Sequence, residues 1–261
     1  MNRLENKVAI VTGAAKGLGE ADARLLAKEG ARVVLTDVDV ENGERIAHEI
    51  GDAARFVKQD VRDEAGWEKL IKQTVDDFGG LNVLVNNAGV VEPGTIESQT
   101  AEDYRFVMAV SADGTFFGCK HAVPAMHASK GSGSIINMCS IASVQGEPYV
   151  IAYCAAKGAV EALTRGVAVH CAKAKYDIRC NSIHPSGIVT PMVMGLGDKV
   201  AKAGMVRLEE EGQAASVSKL GEPNDIAHTV VFLASDEAKF INGAQIRVDN
   251  AMSVVSGVVP E

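Results

Sequence analysis

KVAIVTGAAKGLG, residues 7–19, reads as a buried strand, a turn of small residues and the start of a helix. The turn holds Gly13, Lys16, Gly17, Leu18 and Gly19. Small residues there let the backbone approach a pyrophosphate, and a helix start adds N–H groups and a positive dipole. The spacing is GxxxGxG rather than GxGxxG, and a plain tight turn would suit the same residues. Its place after the first strand strengthens the phosphate reading.

Outward from this stretch, short apolar runs alternate with longer segments of helical period. RVVLTD (32–37), RFVKQD (55–60), NVLVNN (82–87), SIINMC (134–139), IRCNSIH (178–184) and AQIRVD (244–249) read as further strands. Helices are expected near 17–29, 40–50, 63–79, 100–128, 150–174 and 223–235. The alternation implies a single α/β domain over residues 1–261, a Rossmann-type doubly wound parallel sheet of about seven strands with helices on both faces. Residues 186–221 lack clear periodicity, and a stretch that long in a compact domain suggests a substrate lid.

Composition excludes several classes. A net charge of -8 and the absence of a Lys/Arg run disfavour nucleic acid as a partner. No apolar signal core and no uninterrupted apolar stretch of about 18 residues is present, so a soluble, cytoplasmic protein is expected, with no membrane partner. Five cysteines without CxxC spacing suggest thiols used as small core residues in a reducing compartment. The six scattered histidines suggest no metal site.

Asp37 ends the second strand twenty residues after Gly17. A carboxylate there accepts hydrogen bonds from ribose hydroxyls and repels a 2′-phosphate, so NAD is the expected cofactor. Lys16 argues the other way, as a cation within reach of a 2′-phosphate. YCAAK (153–157) places Tyr153 and Lys157 on one face of a helix. Oxidising an alcohol needs a base for the hydroxyl proton and an acceptor for the hydride. Tyr153 suits the base if its pKa falls from about 10 to near 7, which takes about 4 kcal/mol of preferential phenolate stabilisation. Lys157 supplies one positive charge and an oxidised nicotinamide another. Ser140, at the end of the SIINMCS strand, suits a donor to the substrate oxygen, or else a strand-end cap.

TGAAKGLG, Asp60 in QDV, NNAG (86–89), Ser140, YCAAK and HPSGIVTPM in this order resemble the motif set of the short-chain dehydrogenase/reductase family, over almost the whole chain. The resemblance implies that Asp60 and Val61 meet adenine, and that Asn87, Ala88 and Gly89 line the adenosine ribose. It also implies that Pro185, Ile188 and Thr190 position the carboxamide and pyrophosphate, and that Lys157 bonds the nicotinamide ribose. Two positions depart from the family pattern: Ser111 stands where an Asn usually helps hold a water in a proton relay, and Ser186 where Gly usually follows the proline. A hydroxyl lacks the separate donor and acceptor of an amide, so Ser111 would hold such a water differently.

Further segments, including IRCNSIHPSGIVTPM and VDNAMSVVSG, look similar to bacterial 3β/17β-hydroxysteroid dehydrogenases and relatives acting on cyclic secondary alcohols. Met192, Val193, Met194, Leu196 and Met205 suit an adaptable apolar pocket. The expected substrate is therefore a small apolar secondary alcohol or ketone, cyclic or steroid-like. Rival readings are an NADPH-dependent 3-oxoacyl-type reductase, a broad aliphatic or aromatic alcohol dehydrogenase, and a non-catalytic NAD-binding protein. Family resemblance further implies a homotetramer packed through the helices near 100–128 and 150–174, and the tail MSVVSGVVPE either reaches a neighbour or covers the pocket.

Overall fold

The computed structural model describes residues 2–129, 131–202 and 220–254. Seven strands form one sheet: β1 (Val8–Thr12), β2 (Arg32–Asp37), β3 (Ala54–Lys58), β4 (Val83–Asn86), β5 (Gly133–Met138), β6 (Ile178–Pro185) and β7 (Gln245–Val248). Their order is β3-β2-β1-β4-β5-β6-β7, and every neighbouring pair is parallel. Consecutive side chains on a strand point to opposite faces, so each strand feeds two cores. Ile10, Leu84, Ile135 and Cys180 face Trp67, Leu70 and Met126 on one side. Ala9, Val11, Val85, Ile136 and Ile183 face Leu26, Ile46 and Val230 on the other. Sealing a large aliphatic side chain in this way contributes about 1.5–3 kcal/mol.

Helices α1 (Gly17–Lys28), α2 (Val40–Ile50) and α3 (Glu64–Phe78) link the first four strands. Asp39 starts α2 by accepting a bond from the Asn42 amide, and Thr100 does the same for the next helix through Asp103. That segment, expected as one helix over 100–128, is α4 (Ala101–Met108), a π turn over Ala109–Asp113 and α5 (Gly114–Ala128). The π turn carries Ser111. Then follow α6 (Ile151–Lys173), α7 (Pro191–Lys202) and α8 (Pro223–Ala234). A reciprocal cap between Glu222 and Asp225, with Pro223 in the first turn, fixes the start of α8.

The stretch 186–221 is thus not irregular throughout, since α7 occupies its first part. Residues 203–219 of the expected lid, Met205 among them, lie outside the described residues. The two ends of the stretch are joined: Val189 N–H donates to the Gly221 carbonyl at 2.9 Å and Gly221 N–H to the Gly187 carbonyl at 3.0 Å. Of the apolar tail, Met252 to Val254 are described, and the Met252 carbonyl accepts a bond from the Gln145 side chain at 3.1 Å. Among the described residues no helix is long and apolar enough to cross a membrane.

Because β2 and β3 lie to one side of β1 and the later strands to the other, the chain leaves a crevice beyond the C-terminal ends of β1 and β4. Ligands of open α/β sheets bind at such a switch point.

Candidate active site

A cleft of about 330 Å³ occupies that crevice. It brings together Gly13, Lys16, Gly17, Leu18, Asp37, Asp60, Val61, Asn87, Ala88, Gly89, Ser140, Tyr153, Lys157, Pro185, Ile188 and Thr190. Of the residues singled out by sequence for catalysis or cofactor binding, only Gly19 and Ser111 stand behind its wall.

The glycine turn is built for close approach. Gly13 and Gly17 have φ of 64° and 61°, a region that favours glycine. A Cβ on Gly13 would meet the Ala88 Cα at 2.9 Å, and one on Gly19 would meet the Gly13 carbonyl oxygen at 2.3 Å. Gly19 therefore permits close packing of helix on turn rather than lining the cleft. Thr12 Oγ1 accepts bonds from the amides of Asn87 and Ala88, each 3.0 Å, and the Asn87 side chain donates to the carbonyls of Thr12 and Gly13. The NNAG turn is thereby tied to the glycine turn. No side chain caps the N-terminus of α1, which leaves its first amides suited to phosphate oxygens.

At the tip of β2, Asp37 accepts from the amide of Ala15 through one oxygen and of Asp39 through the other, both 3.0 Å. Backbone on both sides fixes the carboxylate at the mouth of the glycine turn, while Lys16 is exposed. Asp60 is gripped by Arg62, whose Nε and Nη2 lie 2.9 and 2.6 Å from its two oxygens. The Arg62 hydrogen bonds hold the Asp60 carboxyl below the usual carboxylate range, and the guanidinium packs over Phe106 at 5.5 Å. Val61 is buried, and its carbonyl accepts from Trp67 Nε1 at 2.9 Å.

Ser140 lies just past β5 with an extended backbone, and its Oγ accepts from the Ala142 amide at 3.1 Å. The hydroxyl thus caps its own turn, and its proton is left over from that bond. Burial pushes the Tyr153 phenol up to about 12, against which a Ser140 hydrogen bond pulls down. Burial outweighs the lowering expected from Lys157, so the protein alone does not bring the phenol near 7. Lys157 itself is buried, which lowers its pKa, and its ammonium donates to the Met138 carbonyl at 2.7 Å. Ser111 is fully buried, and its Oγ accepts from the Val90 amide at 3.4 Å. A Cβ on Gly89 would stand 3.5 Å from both Lys157 Nζ and Ser111 Oγ, so both groups border the bare glycine.

Ser186 has no left-handed φ, and its amide reaches the Val248 carbonyl at 3.3 Å. Serine therefore replaces the usual glycine here without backbone strain. Of the apolar residues expected to form a substrate pocket, Met192 and Val193 line the cleft, while Met194 and Leu196 do not. Sequence reasoning missed Val38, Arg62, Phe106 and Val110, all of which line it. Arg62 was detectable as a cation two residues after Asp60. The aromatic and aliphatic members carried no sequence signal separating wall from core.

A family model described as enoyl-(acyl carrier protein) reductase matches residues 13–253. The chain is 43% identical over 251 residues to the NADP-dependent (R)-specific alcohol dehydrogenase of Lentilactobacillus kefiri, covering 95% of this chain and 97% of that one. It is 40% identical over 251 residues to the 3-beta-hydroxysteroid dehydrogenase of Comamonas testosteroni, with 96% and 97% covered. Among solved structures, levodione reductase superposes with a TM-score of 0.88 at 32% identity, over 97% of this chain and all of that one.

Proposed function

The chain belongs to the short-chain dehydrogenase/reductase family, whose members bind a nicotinamide cofactor, and from that premise we propose an NAD-dependent dehydrogenase interconverting a secondary alcohol and a ketone. The observation that carries the reading is that Ser140, Tyr153 and Lys157, the last two one turn apart on α6, line the same cleft as the glycine turn. A bound oxidised nicotinamide supplies the hydride acceptor and a positive charge. Tyr153 Oη takes the alcohol proton as the C–H electron pair leaves, and in the reverse direction returns it to the ketone oxygen. Ser140 Oγ–H donates to that oxygen and holds it beside the phenol. Lys157 adds positive charge beside the developing phenolate and bonds the nicotinamide ribose.

The preference for NAD rests on Asp37, which two backbone amides prevent from turning away from a 2′-phosphate. The substrate class, an apolar cyclic or hydroxysteroid-like alcohol, rests on Met192 and Val193 in the wall and on the name of the Comamonas relative. Asp60, Val61, Asn87, Ala88, Gly89, Pro185, Ile188 and Thr190 complete the cofactor site in this reading, with residues 186–221 as substrate cover. The protein works in the cytoplasm as a homotetramer, a packing for which half-exposed Phe116 on α5 and Val169 on α6 offer apolar surface.

NADP is the second reading, favoured by exposed Lys16 and by the name of the Lentilactobacillus relative. The test follows the absorbance of reduced nicotinamide at mildly alkaline pH, with NAD or NADP. The panel comprises a 3β- and a 17β-hydroxysteroid, cyclohexanol and a linear secondary alcohol. NAD-linked turnover that is greatest on a cyclic substrate and is lost in Tyr153→Phe supports the proposal. Turnover with NADP alone overturns the cofactor assignment, and NAD binding without turnover on any alcohol overturns the enzymatic one.

A further inference from the structure

β6 runs beside β5 to its very end: Met138 pairs with Ile183, and the Cys139 amide continues the ladder to the Ile183 carbonyl at 2.8 Å. This register puts His184 level with Cys139, the residue before Ser140. His184 is 1% exposed. Its Nδ1 lies 3.2 Å from the Ser140 carbonyl oxygen and 3.1 Å from Ser143 Oγ, and its Nε2 lies 2.8 Å from Ser182 Oγ.

These partners assign the ring's proton. A carbonyl oxygen only accepts, so Nδ1 carries the hydrogen, and Nε2 is then the acceptor for the Ser182 hydroxyl. Burial also lowers the imidazole pKa, keeping the ring neutral. Ser143 Oγ donates to the same Ser140 carbonyl at 2.9 Å. The main chain of Ser140 is thus held from two sides while its Oγ faces Tyr153.

We propose that His184 is a positioning residue for the reaction, fixing through the Ser140 carbonyl the direction in which the Ser140 hydroxyl is presented to the substrate oxygen. The proposal rests on Ser140 being that donor. His184 is also the residue before Pro185, so one ring ties the turn carrying Ser140 to the strand end bordering the nicotinamide side of the cleft. A misplacement of the order of 1 Å at a reacting group costs as much as about a hundredfold in rate.

Two substitutions separate positioning from filling space. In His184→Asn the side-chain amide can place a donor where Nδ1 stood, whereas His184→Gln places it where Nε2 stood. The expected result is a kcat near the native value for His184→Asn and a fall of roughly ten- to a hundredfold for His184→Gln. The cofactor dissociation constant should stay unchanged in both. Ser143→Ala, a small change at a half-buried site, should lower kcat by several-fold, and its effect should shrink in the His184→Gln background because both act on one carbonyl.

Ser140→Ala serves as the reference. If it leaves kcat unchanged, the reading of Ser140 falls and takes the His184 proposal with it. With Ser140→Ala inactive, equal kcat in the Asn and Gln variants overturns the His184 proposal alone, as does a loss in both accompanied by weaker cofactor binding. Failure of both His184 variants to fold leaves the decision to Ser143→Ala, for which a native kcat overturns the proposal.

Discussion

The Lys157 ammonium stands 5.4 Å from the centroid of the Tyr153 ring, held by its bond to the Met138 carbonyl. A buried cation in this position is expensive unless a developing negative charge makes use of it. Tyr153→Phe should therefore lower kcat by roughly a hundred- to ten-thousandfold, the range for losing a general acid or base. Lys157→Met should reduce kcat and also weaken cofactor binding. Initial rates and cofactor titrations on the two variants check this; near-native kcat in Tyr153→Phe would remove the phenol from the mechanism.

The phenol's shift fixes the direction of the pH dependence. With Tyr153 pushed up to about 12 by burial, the group is protonated at neutral pH, the form that ketone reduction consumes. Alcohol oxidation needs the phenolate, which the positive charges of Lys157 and oxidised cofactor favour. Oxidation should accelerate by up to about tenfold per pH unit below the effective pKa, while reduction stays level and declines only above it. Rate profiles in both directions test this, and an oxidation rate independent of pH sinks it.

Asp37→Asn keeps an acceptor for the Ala15 or Asp39 amide but removes the charge that repels a 2′-phosphate. The ratio of kcat/KM for NADP over NAD should rise roughly ten- to a hundredfold, given that like charges at a binding site cost several kcal/mol. Steady-state kinetics with both cofactors give the ratio. An unchanged ratio would mean that Lys16, not Asp37, governs selection.

All seven strands were legible; those covered on both faces, such as Val8–Thr12 and Gly133–Met138, are buried throughout and mostly apolar. The glycine turn and the Tyr153–Lys157 pair were legible because their spacing is local. The π turn at Ala109–Asp113 was not, since an extra residue per turn barely disturbs the apolar period around Ser111. α7 was hidden by Gly195 and Gly197, poor helix formers within it. The grip of Arg62 on Asp60 and the contact of His184 with Ser140 depend on side-chain direction and on strand register, which the alternation of apolar runs does not encode.

The final prediction concerns Asp22 on α1, which is fully buried with neither carboxyl oxygen bonded to a protein group. Burial raises its pKa well above the ordinary carboxyl value, so the folded protein keeps the proton that the unfolded chain releases above about pH 4. Between the unfolded and folded pKa values the native state binds more protons, and stability falls as pH rises by up to about 1.4 kcal/mol per unit. Above the folded pKa the penalty is constant. Asp22→Asn, of nearly the same shape but without a titrating group, removes this dependence. Its stability advantage over the native protein in urea should therefore be larger at mildly alkaline pH than at mildly acidic pH. An equal difference at both would show that Asp22 is ionised in the folded protein or titrates alike in both states, and either result would contradict burial as the dominant influence on this carboxyl.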